Sequence, residues 1–193
     1  MLQQTQVSRV QPMYEAFLTR FPTLADVALA PPRRVMEAWE GLGYYARARN
    51  LHRLARELHP AGGSPLPLPA EPDALRRLPG IGAYTAGAVA SFAYERRAAL
   101  VDTNVARVLR RAFAPQIDTK APAGLRQAWR LAEAVLPRTG RATWTHNQAI
   151  MELGALVCTA RVRHCPRCPV QSLCDTRRPE LPERRQRSGS RSG

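Results

Sequence analysis

Lysine and long apolar runs are both nearly missing from this chain of 193 residues. Lys120 is the only lysine among the 29 basic residues, so chemistry that needs a lysine amine has one candidate. No stretch approaches the roughly 20 consecutive apolar residues that a membrane-spanning helix needs. The first residues, MLQQTQVSRV, show neither the charged nor the apolar region of a signal peptide. We therefore expect no membrane association and a cytoplasmic location.

Acidic residues are also scarce, which leaves the chain strongly basic. It has 15 Asp and Glu against 29 Lys and Arg, for a net charge of +14. The tail at 178–193 accounts for little of this excess, because its five arginines stand beside two glutamates. A basic surface can simply be solvated, but an excess spread over a folded chain favours a polyanion as the partner.

Sustained alternation of apolar and polar residues, the pattern of strands, is missing as well. Apolar residues instead recur at spacings of three and four, as they do from Val10 to Leu18 and from Val35 to Leu42. The spacing predicts an all-α fold, with a Pro/Gly-rich loop at 60–72 and a disordered Ser/Gly/Arg end. The predicted helices include one around Leu2, one at 73–78, and others at about 83 onward, 104–113, 123–136 and 145–158.

The four cysteines of the chain lie close together near its end. Their spacing is Cys158-x6-Cys165-x2-Cys168-x5-Cys174. In a reducing compartment such a cluster indicates a metal centre rather than disulfides. Thiolates select zinc or an iron–sulfur cluster. Zinc ribbons usually have two C-x2-C pairs and this chain has one, so the spacing favours a [4Fe–4S] cluster over zinc.

Arginines stand between the first two of these cysteines. Arg161 and Arg163 are therefore candidate phosphate contacts, because a metal-pinned loop presents cations rigidly. The alternative is that they are solvated loop residues.

The segment at 75–90, LRRLPGIGAYTAGAVA, predicts two helices joined by a glycine-rich hairpin. Its glycines allow positive φ and leave the backbone bare. The second helix starts just after them, so its free N–H groups and positive dipole end suit a phosphate. An ordinary tight turn is the alternative. The candidate DNA-binding residues here are Gly80, Ile81, Gly82 and Thr85.

This hairpin, the later VDTNVARVLRR and the cysteine pattern together resemble the helix–hairpin–helix glycosylases of the endonuclease III superfamily. Two further stretches, MLQQTQV and WEGLGYYARARNL, resemble the MutY-type adenine DNA glycosylases nearly word for word. The resemblance implies base-excision repair and a helical barrel lobe beside an iron–sulfur cluster lobe. The expected parts are a helical lobe at 1–98 with its hairpin motif at about 75–94, a cluster lobe at 99–177 and a disordered basic tail at 178–193.

The implied reaction is hydrolysis of the N-glycosidic bond of adenine mispaired with 8-oxoguanine or guanine, after the base is flipped out of the duplex. Its oxocarbenium-like transition state needs a carboxylate. Asp102 matches the family's catalytic aspartate, although taken alone it reads as a helix N-cap. Asn104 and Tyr84 match supporting positions. Lyase members of the superfamily carry a lysine where Tyr84 stands, so the resemblance implies a monofunctional glycosylase.

Two further residues match positions that enter the DNA duplex. Gln4 matches the residue that wedges between the strands, and Tyr44 matches one that inserts beside the partner of the lesion. An inserted side chain compensates for lost stacking and keeps the base flipped. Core packing is the alternative for Tyr44.

The chain departs from the family at both ends and resembles a truncated member. The family's general-acid glutamate belongs just before Met1, and a domain that recognises 8-oxoguanine belongs after RPELPERR. Without that acid the chain as given could be inactive. The alternatives are a non-catalytic mismatch-binding protein, a thymine mismatch glycosylase and, more distantly, a zinc-binding interaction module. The expected partner is double-stranded DNA with an A:8-oxoguanine or A:G mispair, bound by a nucleoid-associated monomer.

Overall fold

The computed structural model describes residues 1–60 and 63–177, and the predicted disordered tail lies outside the described residues. The chain divides into two compact units, Met1–Ala98 and Ala99–Gly193. The prediction of an all-α fold is confirmed, since the described residues form helices and turns with one isolated bridge between Cys158 and Arg163. None of the described helices has both the length and the apolar character that crossing a bilayer requires.

The first unit holds six helices in its described residues. In chain order these are α1 Val7–Arg20, α2 Leu24–Leu29, α3 Pro32–Glu37, α4 Ala46–Leu58, α5 Pro72–Leu75 and α6 Ala83–Tyr94.

The described part of the second unit holds three α-helices and three short turns of other helix types. They are α7 Thr103–Phe113, α8 Pro122–Ala134, α9 Gly140–Glu152, a π-helical turn at Leu153–Val157, and 3₁₀ turns at Cys165–Arg167 and Gln171–Leu173.

An aromatic cluster lies at the centre of the first unit. Phe17 meets Phe21 at 5.1 Å between ring centroids and meets the edge of Trp39 at 5.9 Å, with the latter pair nearly perpendicular. All three rings are buried. Tilted and edge-to-face pairs of this kind contribute about 0.5–1.5 kcal/mol beyond the area they bury. The spacing of apolar residues on α1 therefore encodes the packing that holds α1 against the turn after α3.

The second unit is built around α7. Its face with Val105, Val108 and Leu109 is buried, while arginines occupy its other face. The polar side chains of Thr143 and Asn147 on α9 are also buried. The helix α7 thus joins an apolar core to a cationic surface along its length.

Some of the predicted helix bounds were wrong. Leu2 lies in a turn and is exposed, because the first helix begins only at Val7. The helix predicted at 73–78 ends at Leu75. The apolar spacing from Val35 to Leu42 extends beyond its helix, since α3 ends at Glu37 before two glycines in positive φ. The last long helix starts earlier than predicted, because Thr139 caps it, and becomes a π-turn at 153.

Candidate functional site

The hairpin between α5 and α6 presents bare backbone to solvent. Gly82 is the exposed N-cap of α6, with no side-chain cap, and a Cβ placed on it would meet nothing within 4 Å. The N–H of Ala86 donates to the carbonyl of Gly82 at 2.9 Å, so the N–H groups of the preceding turn are not used within the helix. This end of α6 has the geometry of a phosphate site.

Gly80 fixes the path of the hairpin. It has φ of +76°, and a Cβ there would lie 2.6 Å from the Cβ of Asn50 on α4. Ile81 packs its half-buried side chain against the core around Leu75, and its N–H donates to the carbonyl of Leu78 at 3.2 Å. Ile81 therefore anchors the hairpin, while the glycines on either side form its exposed surface.

The N-terminal segment touches the same hairpin helix. The amide nitrogen Nε2 of Gln3 donates to Oγ1 of Thr85 in the first turn of α6 at 2.8 Å. Gln4, the next residue, has φ of +57° and an exposed side chain. Glycine favours that backbone region because it has no Cβ, so contacts with neighbouring residues must hold Gln4 there.

Tyr44 lies in the turn between α3 and α4 and shares this unusual backbone. Its φ is +47° and its side chain is 64% exposed, so it is not a core residue. The flanking Gly41 and Gly43 also have positive φ. Both residues predicted to enter the duplex thus lie in strained, exposed positions of the first unit.

Asp102 caps α7 and is held by two hydrogen bonds. Its Oδ1 accepts from the N–H of Val105 at 2.7 Å, and its Oδ2 accepts from Nδ2 of Asn104 at 3.1 Å. The N-cap interpretation is therefore correct as geometry. The half-buried carboxylate also lines a groove, so capping the helix does not bury it completely.

Asn104 also accepts a hydrogen bond from an arginine side chain. Its Oδ1 accepts from Nη2 of Arg107 at 2.8 Å. Arg107 also donates to the carbonyls of Gly154, at 2.7 Å, and Cys158, at 2.9 Å. One chain of hydrogen bonds therefore links the Asp102 carboxylate to the backbone of the first cysteine.

The π-turn after α9 brings its backbone close to α7. Gly154 is buried, and a Cβ on it would lie 2.8 Å from the Cβ of Asn104 and 3.1 Å from its carbonyl oxygen. A π-turn inserts an extra residue into a helix and often occurs at functional sites. Within this turn the carbonyl of Gly154 accepts a hydrogen bond from Arg107.

The four cysteines line one pocket in the second unit. Each is half-buried, and none forms a disulfide. Among the described residues, however, no three or more Cys, His, Asp or Glu side chains are placed to hold a single metal ion.

Arg111, one turn beyond Arg107, contacts two of the cysteines. Its Nη1 donates to the Sγ of Cys158 at 3.3 Å and to the carbonyl of Thr159 at 2.8 Å. The thiol of Cys174 in turn donates to the carbonyl of Arg111 at 3.3 Å. The first and last cysteines are thus tied to the same residue of α7.

Arg161 and Arg163 are both exposed in the loop after Cys158. The loop is braced by Thr159, whose Oγ1 donates to the carbonyl of Val162 at 2.5 Å and accepts from its N–H at 3.1 Å. The two arginines therefore extend from a folded turn.

A groove of about 1070 Å³ contains Asp102 together with several cations. Lys120 lines it from the loop between α7 and α8, where its N–H donates to Oδ1 of Asp118 at 2.9 Å. The cations that line it are Arg107, Arg110, Arg111 and Lys120. Tyr84 is half-buried at the start of α6 in the first unit, whereas Asp102 and Asn104 belong to the second.

Known families account for most of this chain. A family described as HhH-GPD superfamily base excision DNA repair protein matches residues 1–133. This chain belongs to the HhH-GPD superfamily. The match includes the hairpin and Asp102 and ends before the cysteines.

Curated relatives of this superfamily member include adenine DNA glycosylases. The human protein is 43% identical over 193 residues, which are 100% of this chain and 35% of that protein. The Mycolicibacterium smegmatis protein is 46% identical over 170 residues, which are 88% of this chain and 56% of that protein. This chain thus spans between a third and somewhat over half of their lengths.

The fold of a solved glycosylase also matches. A thermostable thymine-DNA glycosylase superposes with a TM-score of 0.78 at 28% identity, over 91% of this chain and 79% of that one. The helix–hairpin–helix fold class is therefore confirmed.

Three arginines of this HhH-GPD member were missed by reading its sequence for function. Arg107 and Arg111 lie one helical turn apart on α7, and that spacing gives a weak signal that they share a face. Arg47 lies in the first turn of α4, where a cation opposes the helix dipole. In the structure Arg47 contacts two loops, through Thr5 and through Gly43.

Proposed function

We propose that this chain carries out the excision step of a monofunctional adenine DNA glycosylase, acting on adenine opposite 8-oxoguanine or guanine. The observation that supports it most is the Asp102 carboxylate, held by the Val105 N–H and by Asn104 beside a cationic groove. The similarity to adenine DNA glycosylases across the whole chain supports the choice of base.

The Asp102 carboxylate would stabilise positive charge on the sugar as the bond to adenine breaks. A fixed anion is effective there because it needs no reorganisation when the charge develops. The bond between the anomeric carbon and adenine breaks, the oxygen of a water molecule adds to that carbon, and the proton that this water loses balances the one gained by the departing adenine. Asn104 keeps the carboxylate oriented, since its amide holds one carboxylate oxygen.

DNA would be held mostly by its backbone. The bare turn at Gly80 and Gly82 suits one phosphate, and the exposed Arg161 and Arg163 suit others. Such contacts position the protein without reading sequence. Gln4 and Tyr44 would enter the duplex, because both are exposed in fixed backbone positions. We propose that a monomer binds the mispaired duplex of chromosomal DNA at the cytoplasmic nucleoid.

The four cysteines that line one pocket favour a [4Fe–4S] cluster over zinc. Zinc ribbons usually have two C-x2-C pairs, and this chain has one. A cubane binds one thiolate at each corner, so its ligands stand further apart around a shared pocket. The ligands would be Cys158, Cys165, Cys168 and Cys174. Iron–thiolate bonds would pin the loop that displays the arginines.

Excision is tested by incubating the purified chain, in excess, with duplexes that hold one A:8-oxoguanine, A:G, T:G or A:T pair, followed by alkali. We expect strand breaks at adenine in the first two duplexes. Asp102→Asn keeps a capping side chain and should abolish the breaks, whereas Asp118→Asn in the same groove should not.

Other outcomes separate the alternatives. Breaks at thymine in the T:G duplex would favour the thymine glycosylase. Tight binding to A:8-oxoguanine without breaks in any duplex would favour a non-catalytic mismatch-binding protein and contradict the excision proposal.

A further inference from the structure

Arg47 contacts two separate segments of the first unit through one guanidinium group. Its Nη2 donates to the Oγ1 of Thr5 at 2.9 Å and to the carbonyl of Gly43 at 3.2 Å. Nη1 donates to the carbonyls of Met1 and Gln3. The N-terminal segment and the turn at 41–44 therefore share a single set of donors.

The same side chain lies between two aromatic rings. The guanidinium carbon is 5.5 Å from the ring centroid of Trp39 and 5.5 Å from that of Tyr44. Trp39 is buried, and its indole N–H donates to the carbonyl of Gly43 at 3.2 Å, so its ring is held in place beneath the guanidinium. Tyr44 has one face against the guanidinium while its side chain stays mostly exposed.

Arg47 is kept at a cost to its own solvation. Its Nε is buried and meets no acceptor in the described part of the chain. Burial lowers the pKa of Arg47 from its ordinary value. A guanidinium also lies at the unfavourable end of the α4 dipole. The contacts to the two segments are what offset these costs.

Each of the two segments carries one strained and exposed residue. Gln4 has φ of +57° and Tyr44 has φ of +47°, a region that non-glycine residues rarely adopt. Such backbone persists only where neighbouring contacts hold it. The carbonyl of Gln3 immediately before Gln4 and that of Gly43 immediately before Tyr44 are both bound by Arg47.

We propose that Arg47 is a positioning residue that fixes Gln4 and Tyr44 relative to each other before DNA binds. The proposal rests on the proposed function in one respect, namely that these two side chains enter the duplex. Lysine cannot replace the arginine, because a point-like ammonium cannot fork to carbonyls of two segments and stack between two rings. Preorganisation of this kind removes the ordering cost of binding.

The first test measures the free protein by hydrogen exchange. In Arg47→Lys the amides of Thr5 and Leu42, which bond within the two segments, should exchange about tenfold faster or more. The exchange rates of the backbone amides in α6 should not change. Arg56→Lys removes a guanidinium from the last turn of the same helix and should leave both segments as they are. Unchanged exchange in Arg47→Lys would overturn the proposal.

A second variant covers the case in which Arg47→Lys fails to fold. Thr5→Val removes one acceptor from the N-terminal segment alone. It should speed exchange at residues 1–5 and leave the turn at 41–44 as it is. Equal loosening of both segments would overturn the proposal, because Thr5 would then act through general destabilisation.

The third test uses a duplex with 2-aminopurine opposite guanine, whose emission rises when the base leaves the stack. Arg47→Lys should lower that rise by about tenfold yet bind matched duplex within about twofold of wild type. In Arg47→Lys combined with Tyr44→Ala, little further loss should follow, since both changes remove one function. Additive losses would overturn the positioning role. If wild type gives no rise in 2-aminopurine emission with any duplex, the proposed base flipping is contradicted. The hydrogen-exchange result on the free protein then still tests the role of Arg47.

Discussion

Arg107 connects Asn104 to the backbone of Cys158, with its Nη2 donating to the side-chain oxygen of Asn104 at 2.8 Å and its Nε to the carbonyl of Cys158 at 2.9 Å. Asn104 in turn holds Asp102. The loop that carries the first cysteine and the candidate catalytic carboxylate are therefore joined by side chains of a single helix, α7. Loss of order in the loop of Cys158 should therefore disturb the Asp102 carboxylate through this series of hydrogen bonds, and the reverse should also hold.

The first prediction removes that link. Arg107→Met keeps the length of the side chain but removes the side-chain donor to the carbonyl of Gly154 and the shorter of the two arginine hydrogen bonds to the carbonyl of Cys158, which should cost about 1–3 kcal/mol of stability. Single-turnover excision should fall about 100-fold, because a carboxylate displaced by an ångström loses its alignment. Thermal unfolding and excision assays measure the two effects. Arg126→Met, an exposed arginine of α8, is the control; equal rates in both variants would contradict the link.

The second prediction concerns the close approach of the π-turn. In Gly154→Ala the new Cβ would lie 2.8 Å from the Cβ of Asn104, so the π-turn or α7 must move. Overpacking of this kind typically costs about 1–3 kcal/mol. We expect a lower unfolding midpoint and slower excision. Ala155→Ser changes the exposed neighbour and should do neither; a wild-type midpoint in Gly154→Ala would show that the approach is loose.

The third prediction tests the cysteine pocket. Arg111→Met removes the donor to the Sγ of Cys158 and to the carbonyl of Thr159. Hydrogen bonds to the ligand sulfurs help set the properties of an iron–sulfur cluster. The variant should lose iron and visible absorbance faster than wild type when exposed to air or a chelator. Arg130→Met, exposed on α8, should behave as wild type. Zinc in place of iron in the purified protein would contradict the cluster itself.

Local patterns predicted much of the fold, because they depend on residues close in sequence. The hairpin could be predicted because glycines such as Gly80 and Gly82 allow backbone conformations that other residues rarely adopt, whatever the tertiary context. The π-turn at Leu153–Val157 could not, because the apolar spacing continues through it and its close approach to Asn104 joins residues about 50 positions apart. The helix predicted around Leu2 is wrong because local pattern carries no information about Arg47, which binds the carbonyls on either side of Leu2 from another segment.

The candidate site divides in the same way. Asp102 and the four cysteines stand out in the sequence because few residue types do their chemistry. Arg47 and Arg107 do not, because this chain is rich in arginine and each acts through partners dozens of positions away. Only the fold distinguishes a bridging arginine from a solvated one.

The fourth prediction is a dependence of stability on pH. His146 is half-buried beside Phe113 and Leu173, and burial lowers its pKa from the ordinary value. The unfolded chain therefore takes up the proton more readily than the folded one. The contribution of neutral His146 is full above about pH 7 and is lost as pH falls below about 6.5. His146→Leu should flatten the fall in unfolding midpoint between these values and about pH 5, whereas His59→Leu should not; parallel curves for wild type and His146→Leu would contradict this.

The last prediction concerns strand cleavage. A lyase needs an amine that condenses with the aldehyde of the abasic sugar and loses water, and borohydride reduces the resulting imine to a stable link. This chain has Tyr84 at the start of α6, and its only side-chain amine, Lys120, lines the groove of Asp102. We expect no trapped complex from wild type with an A:8-oxoguanine duplex and a trapped complex from Tyr84→Lys. If wild type is trapped and Lys120→Arg is not, Lys120 supplies the amine, and the groove that serves hydrolysis also supports a covalent step. Trapping that survives in Lys120→Arg would instead assign the amine to the N-terminus, the remaining primary amine of the chain.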